Sequence, residues 1–246
     1  MRTEEILGIK FHIGSANEVL EFCCHNKGLV IAPSAPSLVD GFSNKYFYMC
    51  MINANHAIVD SALIAIMWSL YKFKLTPKVS GLKYTKLLIS NYLSKELEKT
   101  FWIMPTRDSS KKLISYFSHQ SLNLKENQIY VAPKYPSGEI MDDELIAQIE
   151  KNQPTHIVIG LGGGTQERVG YLIKTRFGVS FTIHCIGAAI GFITGDQVKI
   201  PEWADRIGLG WLIRCFSNPV VYGKRYLKAL KIIPIFIWFR QHKIYK

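Results

Sequence analysis

The sequence predicts an α/β protein built on a doubly wound, largely parallel, Rossmann-like sheet. Short apolar runs alternate with segments of helical periodicity, which is the pattern of parallel strands joined by helices. One apolar run, 156–160, leads into a turn of glycines, Gly160–Gly164, and then into a helical segment. Because 48% of the 246 residues are hydrophobic, the chain can bury a substantial core. We divide it into an α/β catalytic domain, residues 1–195, and a basic, aromatic-rich C-terminal appendage, residues 196–246.

The first third of the chain alternates between predicted strands and predicted helices. Residues 28–33 and 56–59 are short, β-branched and bounded by polar or turn residues, so we predict buried strands there. The segment between them, Ser37–Asn53, is compatible with a helix. After Asp60, apolar residues recur at intervals of three and four, which predicts a helix with one buried face: Leu63, Ile64, Met67, Trp68 and Tyr71.

The middle of the chain continues this alternation. Its predicted elements are, in order, a helix over Tyr84–Leu97, a strand over Phe101–Met104, a helix over Ser109–Phe117, a strand over Gln128–Ala132, a helix over 142–152, the strand at 156–160, a helix over Gln166–Arg176 and a strand over Val179–Ile186. The acidic run 142–144 fits the first turn of a helix, where carboxylates offset the helix dipole, better than it fits a metal site. Beyond Gly195, prolines break the pattern into short helical pieces.

The charge of the chain predicts anionic partners. The formal net charge is +11 and the pI is about 9.4, which favours nucleotides, phospholipid head groups or nucleic acid. No signature of a nucleic-acid-binding module accompanies the charge, so we do not expect nucleic acid as a partner. Basic residues continue after Asp205 while acidic residues do not, and aromatic residues lie between them: Arg206, Arg214, Lys224, Arg225, Lys228, Lys231, Arg240, Lys243 and Lys246.

This basic tail has two interpretations. It could lie on an anionic membrane surface, held by apolar burial and charge attraction, or it could be a helix that packs on the core with a solvated basic face. Its longest apolar run, Ile235–Phe239, is far shorter than the roughly 20 residues that span a bilayer. The N-terminus lacks the layout of a secretory signal. We therefore expect a cytoplasmic protein, peripheral on the inner face of the cell membrane.

The cysteines predict neither disulfides nor a metal centre. Their number is odd, they form no Cys-x-x-Cys pair, and no histidine spacing suits zinc. We expect reduced, buried thiols and no metal or cofactor: Cys23, Cys24, Cys50, Cys185 and Cys215.

The glycine turn is open to two interpretations. Glycines let backbone amides approach a ligand closely, and a helix that begins near Thr165 directs its unpaired N–H groups toward the turn, which suits a diphosphate. The same glycines could equally make only a tight connection between strand and helix.

Several motifs in a fixed order give the chain a family resemblance. They are Val59-Asp60-Ser61, Lys78-Val79-Ser80-Gly81, the run from Gly160 to Glu167, Lys199-Ile200-Pro201, Gly210-Trp211-Leu212-Ile213-Arg214, Pro219, and Lys224-Arg225-Tyr226. By these motifs the chain resembles the WecG/TagA/CpsF family of bacterial glycosyltransferases over most of its length. It differs from the family pattern at Ala32, Ser34, Ser61, Lys78, Gly210 and Val221.

The resemblance implies an inverting, metal-independent transferase of surface polysaccharide synthesis. Such an enzyme moves N-acetylmannosamine, its uronic acid or a hexose from a UDP-sugar to a polyprenyl-diphosphate-linked saccharide. Asp60 is then the candidate base that takes the proton from the attacking hydroxyl; its alternative role is a helix N-cap. The candidate substrate-binding residues are Ser34, Lys78, Gly160, Gly162, Gln166, Glu167, Arg214, Lys224 and Arg225.

Individual roles follow from the chemistry of the leaving group. Without a metal, the negative charge that develops on UDP must be met by cations and amides. The resemblance makes Lys78, Arg214, Lys224 and Arg225 the candidate cations, and the alternative for each is a solvated surface cation. Gln166 can pair with a uracil edge or a sugar hydroxyl, whereas Glu167 either holds a ribose hydroxyl or caps the helix. A homo-oligomer is a further expectation, with Trp68 and Tyr71 either as contacts or as core residues.

Two other function classes remain to be weighed. The chain could be a catalytically weak or inactive relative that binds a UDP-sugar or a lipid diphosphate as a component of a membrane assembly. A nicotinamide dehydrogenase is disfavoured, because no acidic residue ends the strand after the glycine-turn helix, where a ribose contact is expected.

Overall fold

A computed structural model of the chain describes residues 1–187, 189–195, 201, 204 and 210–245, without the side chains of Trp211, Arg214, Ser217 and Val221. It confirms the predicted α/β class, with one eight-stranded sheet in the order β1-β2-β4-β3-β8-β7-β5-β6. The strands are β1 (Arg2–Ile6), β2 (Ile9–Ile13), β3 (Gly28–Ile31), β4 (His56–Ile58), β5 (Thr100–Met104), β6 (Ile129–Val131), β7 (His156–Ile159) and β8 (Thr182–Cys185).

Neighbouring strands of the sheet are parallel except at one edge, where β1 and β2 are antiparallel. The described α-helices are α1 (Ala16–Asn26), α2 (Ala35–Ser43), α3 (Lys45–Ile52), α4 (Ala62–Lys72), α5 (Gly81–Leu88), α6 (Arg107–Ser118), α7 (Asp143–Asn152), α8 (Thr165–Phe177), α9 (Ala189–Thr194), α10 (Gly210–Ser217), α11 (Pro219–Ala229) and α12 (Ile232–Phe239). A π-helical turn, Ile89–Leu93, continues α5.

The helices form one layer on each face of the sheet. Helices α2, α3, α4, α7, α8 and α12 contribute to one apolar cluster, and α1, α5, α6 and α9 contribute to the other. Each layer buries the apolar side chains of alternate strand positions, because successive side chains of a strand point to opposite faces. The sheet is therefore covered on both sides, as expected for parallel strands that are apolar throughout.

The N-terminal elements were not predicted from the sequence. Strands β1 and β2 form a hairpin whose turn residues, Leu7 and Gly8, both have positive φ. Helix α1 begins with a capping box in which Ser15 and Glu18 bond each other's backbone amides. The alternation of Ile9, Phe11 and Ile13 and this Ser-to-Glu spacing are the sequence signals that could have revealed both elements.

Three predicted elements differ from the structure by a break or by three or more residues at one end or both, whereas the bounds of the others agree within two residues. The helix predicted over Ser37–Asn53 is two helices, because Asn44 is extended and its side chain caps α3. The helix predicted over Tyr84–Leu97 begins earlier, at Gly81, where Ser80 supplies the cap, and its π-helical continuation ends at Leu93. The strand predicted over Val179–Ile186 is limited to Thr182–Cys185.

The C-terminal helices pack partly on the α/β core. Ile232, Ile235 and Phe236 are buried, and the Phe236 ring meets that of Trp68 with centroids 6.0 Å apart. Trp68 is thus a core residue, as one of its two interpretations predicted. The outward face of the same helices exposes apolar side chains: Phe216, Val220, Leu227, Leu230, Ile237 and Trp238. None of the described helices has both the length and the apolar character that a bilayer span requires.

Candidate active site

The carboxyl ends of four adjacent strands bring the sequence-predicted residues to one edge of the sheet. Asp60 follows β4, Ser34 follows β3, and the glycine turn follows β7, with β8 between β3 and β7. Three strand spacings of about 4.8 Å separate β4 from β7, so these residues span about 14 Å of the edge. A ligand made of several linked groups fits such a span better than a single small ion does.

The topology predicts a crevice above β8, because neighbouring strands lead to opposite faces. Strands β3 and β7 continue into α2 and α8 on one face, whereas β8 continues into α9 on the other. Ligands of open α/β sheets bind where the connections diverge in this way. Gly187 lies two residues after β8, beside the Gln166 side chain, with a φ of +51°.

Asp60 is held by the start of a helix other than the one that follows it. Its Oδ1 accepts a 2.7 Å hydrogen bond from the amide of Gly81, the first residue of α5. The alternative that Asp60 caps the following helix is wrong, because the cap of α4 is Ser61, which accepts from the Ile64 amide. The carboxylate is half-buried at the edge of the sheet.

The contact between Asp60 and Gly81 also joins two of the sequence motifs. The amide of Val79 donates to the Val59 carbonyl at 2.9 Å, so the segment that carries Lys78 runs beside the end of β4. Lys78 is half-buried there. A carboxylate and a cation from separate motifs therefore sit at the end of the same strand.

The glycines of the turn have different functions in the fold. The Gly160 amide donates to the Ile103 carbonyl at 2.8 Å, and a Cβ at Gly160 would lie 3.1 Å from Ile190 Cγ2. Packing therefore requires Gly160, whereas Gly162 and Gly163 are exposed. A Cβ at Gly163 would lie 3.1 Å from Ser37 Oγ, and Ser37 Oγ is 2.9 Å from Ser34 Oγ. These two hydroxyls therefore lie at the start of α2, beside the glycine turn.

Gln166 carries a buried polar atom that has no hydrogen-bond partner in the described part of the chain. Its Nε2 donates to Glu167 Oε1 at 2.9 Å, but its Oε1 is buried without a hydrogen bond among the described residues. A Cβ at Gly187 would lie 2.8 Å from that oxygen. A buried acceptor without a partner costs free energy, and such an atom at this edge of the sheet suits a donor group on a ligand.

Glu167 is enclosed and caps α8. It is fully buried, and its Oε2 accepts a 2.7 Å hydrogen bond from the Gly164 amide. Burial raises the pKa of this carboxyl, although the hydrogen bonds from Gln166 and the backbone oppose that effect. Of its two predicted roles, the contacts are those of the helix cap, and the same carboxylate orients Gln166.

Sequence reasoning missed Arg168, which fixes the loop beside the turn. Its Nη1 donates to the Pro136 carbonyl at 2.5 Å and to the Gly138 carbonyl at 2.7 Å, and its Nε donates to the Gly164 carbonyl at 2.9 Å. The planar guanidinium has five N–H donors directed outward, so one side chain can bond all three carbonyls. An arginine directly after the Gln-Glu pair was the available signal.

The remaining predicted cations lie on the C-terminal helices. Lys224 and Arg225 are exposed on α11, which is anchored to α2 by an ion pair between Lys228 and Asp40. Arg214 belongs to α10, but its side chain lies outside the described part of the structure, as do Lys199, Ile200, Arg206 and Lys246 entirely.

Two open cavities lie away from this edge. One of about 420 Å³ is lined by Glu4, Trp68 and Lys243 among others, and one of about 980 Å³ by Cys24, Glu96 and His156 among others. Neither includes Asp60 or the glycine turn. The edge that carries Asp60 and the glycine turn combines exposed backbone amides and a lysine, which suit an anion, with an amide oxygen that can accept a hydrogen bond from a ligand. We therefore place the candidate active site there rather than in either cavity.

Comparisons with known proteins identify the family to which the chain is related. A family model described as "Glycosyl transferase WecG/TagA/CpsF family" matches residues 4–245. A curated relative from Bacillus subtilis (strain 168), "N-acetylglucosaminyldiphosphoundecaprenol N-acetyl-beta-D-mannosaminyltransferase", is 23% identical over 226 residues, which cover 89% of this chain and 85% of the relative.

Proposed function

The chain belongs to the WecG/TagA/CpsF family of glycosyl transferases, and from this we propose that it transfers an N-acetylmannosamine-type sugar from a UDP donor to a polyprenyl-diphosphate-linked saccharide. The name of the curated relative gives an N-acetyl-β-D-mannosaminyl group as the sugar and a lipid-linked N-acetylglucosaminyl diphosphate as the acceptor. We propose the same classes of substrate here, in the synthesis of a surface polysaccharide.

The observation that carries the proposal is the shared edge of Asp60 and the glycine turn. Both lie at the carboxyl ends of strands in one parallel sheet, with Ser34, Ser37 and Gly187 between them. A nucleotide sugar laid along this edge would have its diphosphate at the turn and its reacting carbon toward Asp60. The transfer step then occurs above the two strands in between.

The donor diphosphate binds at the start of α8 in this proposal. The exposed backbone of Gly162 and Gly163 admits phosphate oxygens, and the positive end of the helix dipole stabilises their charge. Gln166 Oε1 accepts a hydrogen bond from the nucleotide or the sugar, which gives that buried oxygen the partner it lacks. Lys78 and the basic residues of α11 offset the charge that develops on UDP, without a metal ion.

Asp60 acts as the general base. Its carboxylate takes the proton from the acceptor hydroxyl as that oxygen attacks the sugar carbon, on the side opposite the departing UDP. The Gly81 amide fixes the orientation of the carboxylate, so little reorganisation is needed when the acceptor arrives. The configuration at the sugar carbon is inverted in this single displacement.

The acceptor is lipid-linked, so the enzyme works at a membrane surface. Helices α10, α11 and α12 expose both apolar and basic side chains, a combination that binds anionic head groups while apolar groups enter the interface. We propose a peripheral position on the cytoplasmic face, with α12 still anchored to the core through Phe236.

A donor screen tests the proposed function. Radiolabelled UDP-sugars are incubated with the full chain and a short-chain polyprenyl-diphosphate-linked N-acetylglucosamine, and the products are separated by chromatography. We expect transfer from UDP-N-acetylmannosamine without added metal. Binding of UDP-sugars without turnover of any donor would instead identify an inactive, binding relative, and a chain that neither binds nor transfers would refute the proposal.

A further inference from the structure

We propose that Cys24, His156 and His184 form a binding site for a zinc-like divalent cation. The three residues lie in the layer between α1 and the sheet, away from the glycine turn and Asp60. Each brings one ligand atom to within 4.8 Å of the ligand atoms of the other two. Two imidazoles and one thiol are a ligand set that zinc and cobalt prefer.

The two histidines are already positioned as neighbouring ligands. Strands β7 and β8 pair in parallel, and His156 Nδ1 lies 3.1 Å from His184 Nε2. In a tetrahedral zinc site with bonds of about 2.0–2.1 Å, two ligand nitrogens are separated by roughly 3.3 Å. The observed spacing therefore needs only a small change. Without an ion the two nitrogens share a hydrogen bond, which a bound ion would replace.

A tyrosine orients the deeper of the two rings. His184 is fully buried, and its Nδ1 lies 3.0 Å from the hydroxyl of Tyr84. Histidine ligands of metals commonly bond such a group through the other ring nitrogen, which fixes the ring and its tautomer. His184 Nε2 is thereby directed toward His156 and Cys24.

An open cavity gives an ion access to the cluster and supplies a fourth ligand. Cys24, His156, Tyr92 and Glu96 all line the cavity of about 980 Å³. The Glu96 carboxylate accepts a 3.1 Å hydrogen bond from Thr155, the neighbour of His156. A water molecule from the cavity can complete a tetrahedron. When the ion binds, a metal–sulfur bond replaces the S–H bond of Cys24, and the proton leaves to solvent through the cavity.

A second cluster provides an internal comparison. His12, Cys23 and His56 also bring their ligand atoms within 4.8 Å of one another, but all three are buried. Cys23 and Cys24 are adjacent in α1 and serve different clusters. We assign the ion to the Cys24 cluster because that cluster has both the open cavity and the nearby carboxylate.

Titration of the full-length chain with Co²⁺ tests this assignment, since a cobalt–thiolate bond produces a charge-transfer absorption band. We expect one equivalent of Co²⁺ to produce the band and Zn²⁺ to displace it. Cys24→Ser should abolish the band, whereas Cys23→Ser and Cys215→Ser should retain it. Tyr84→Phe, which keeps every ligand, should weaken Co²⁺ binding about 10- to 100-fold.

The absence of the band in the unmodified protein would overturn the proposal. So would a band that survives Cys24→Ser, or one that Cys23→Ser abolishes while Cys24→Ser does not. Circular dichroism of each metal-free variant establishes that it is folded. If Cys24→Ser does not fold, an unchanged Co²⁺ affinity in Tyr84→Phe would overturn the proposed geometry. These readouts do not involve sugar transfer, so they are independent of the proposed function.

Discussion

Asp60 and Gly81 are joined by a 2.7 Å hydrogen bond from the glycine amide to the carboxylate, although 21 positions separate them in the chain. The bond holds the carboxylate at the end of β4 and leaves α4 to be capped by Ser61. The first amide of α5 thus orients a carboxylate that belongs to another segment of the chain. It positions the group that we propose as the base of sugar transfer.

Asp60→Asn should abolish transfer while donor binding is retained. The asparagine Oδ1 can still accept from the Gly81 amide, but the side chain cannot take a proton. We expect a loss of about 100-fold or more in kcat, measured with radiolabelled donor, and an unchanged UDP affinity by calorimetry. Asp143→Asn, at an exposed carboxylate of α7, is the matched control. Full activity in Asp60→Asn would exclude Asp60 as the base.

Gly187→Ala should disturb donor binding through Gln166. The new Cβ would lie 2.8 Å from Gln166 Oε1 and 3.1 Å from the Leu161 carbonyl. We expect a donor KM at least about tenfold higher, equivalent to about 1.4 kcal/mol of lost binding. Gly178→Ala is the control, because it has a similar φ of +63° but open space around its Cβ.

Both alanine variants should be less stable by about 1–3 kcal/mol, since both place a side chain at a positive φ. Thermal unfolding measures this shared cost, and steady-state kinetics measure the donor KM. An equal rise of KM in both variants would mean that backbone strain, rather than the contact with Gln166, governs donor binding.

Glu167→Gln should flatten the dependence of stability on pH. Burial raises the pKa of Glu167 above its ordinary value of 4.5, so the folded state holds the proton more tightly than the unfolded state does. The stability that the protonated carboxyl gives to the folded state is therefore fully present below pH 4.5. It is lost as the pH rises through the raised pKa of the folded state. A neutral glutamine removes this loss, which denaturant unfolding at several pH values can measure.

The same substitution should weaken donor binding. A glutamine amide at position 167 can donate to Gln166 Oε1, which would occupy the acceptor that we propose for the ligand. Glu150→Gln, at an exposed carboxylate of α7, is the control for both measurements. Unchanged UDP affinity in Glu167→Gln would argue against a ligand contact of Gln166 Oε1.

Lys224→Gln combined with Arg225→Gln should reduce binding to anionic vesicles. Each basic residue near such a surface contributes about 1 kcal/mol, so the pair should lower the partition coefficient roughly 30-fold. Sedimentation with phosphatidylglycerol vesicles measures the change. Lys95→Gln combined with Lys99→Gln removes the same charge from exposed positions before β5 and should have little effect. An equal loss of vesicle binding in the two double variants would indicate that the vesicles attract the protein through its net charge alone.

Much of the fold could be predicted from local pattern. The strands at β3, β4, β5 and β7 and the helix after Asp60 follow from apolar periodicity, which is a local property of the chain. The break at Asn44 and the early start of α5 were not predicted, because each depends on a single capping side chain within a helical pattern. The hairpin of β1 and β2 turns at Leu7, a residue that rarely adopts a positive φ.

The candidate site was predicted in part. Motif order indicated Asp60, Lys78 and Gln166, and the parallel sheet brings the ends of their elements to one edge. The sequence marked Arg168 only by its place after the Gln-Glu pair, and it gave no signal for Gly187. The contacts of both residues join segments that are distant in the sequence, so only the structure revealed them. The cluster of Cys24, His156 and His184 was missed for the same reason, since no short spacing connects its members.

The sequence by itself determined the alternation of strands and helices, the excess of basic charge and the family motifs, because these properties depend on residue type and local spacing. Only the tertiary structure decided which amide donates to the Asp60 carboxylate, which glycine lies against the Gln166 side chain, and which histidines lie near Cys24. Those contacts arise from the pairing order of the strands and the packing of helices on two faces, which bring together residues that are far apart in the chain.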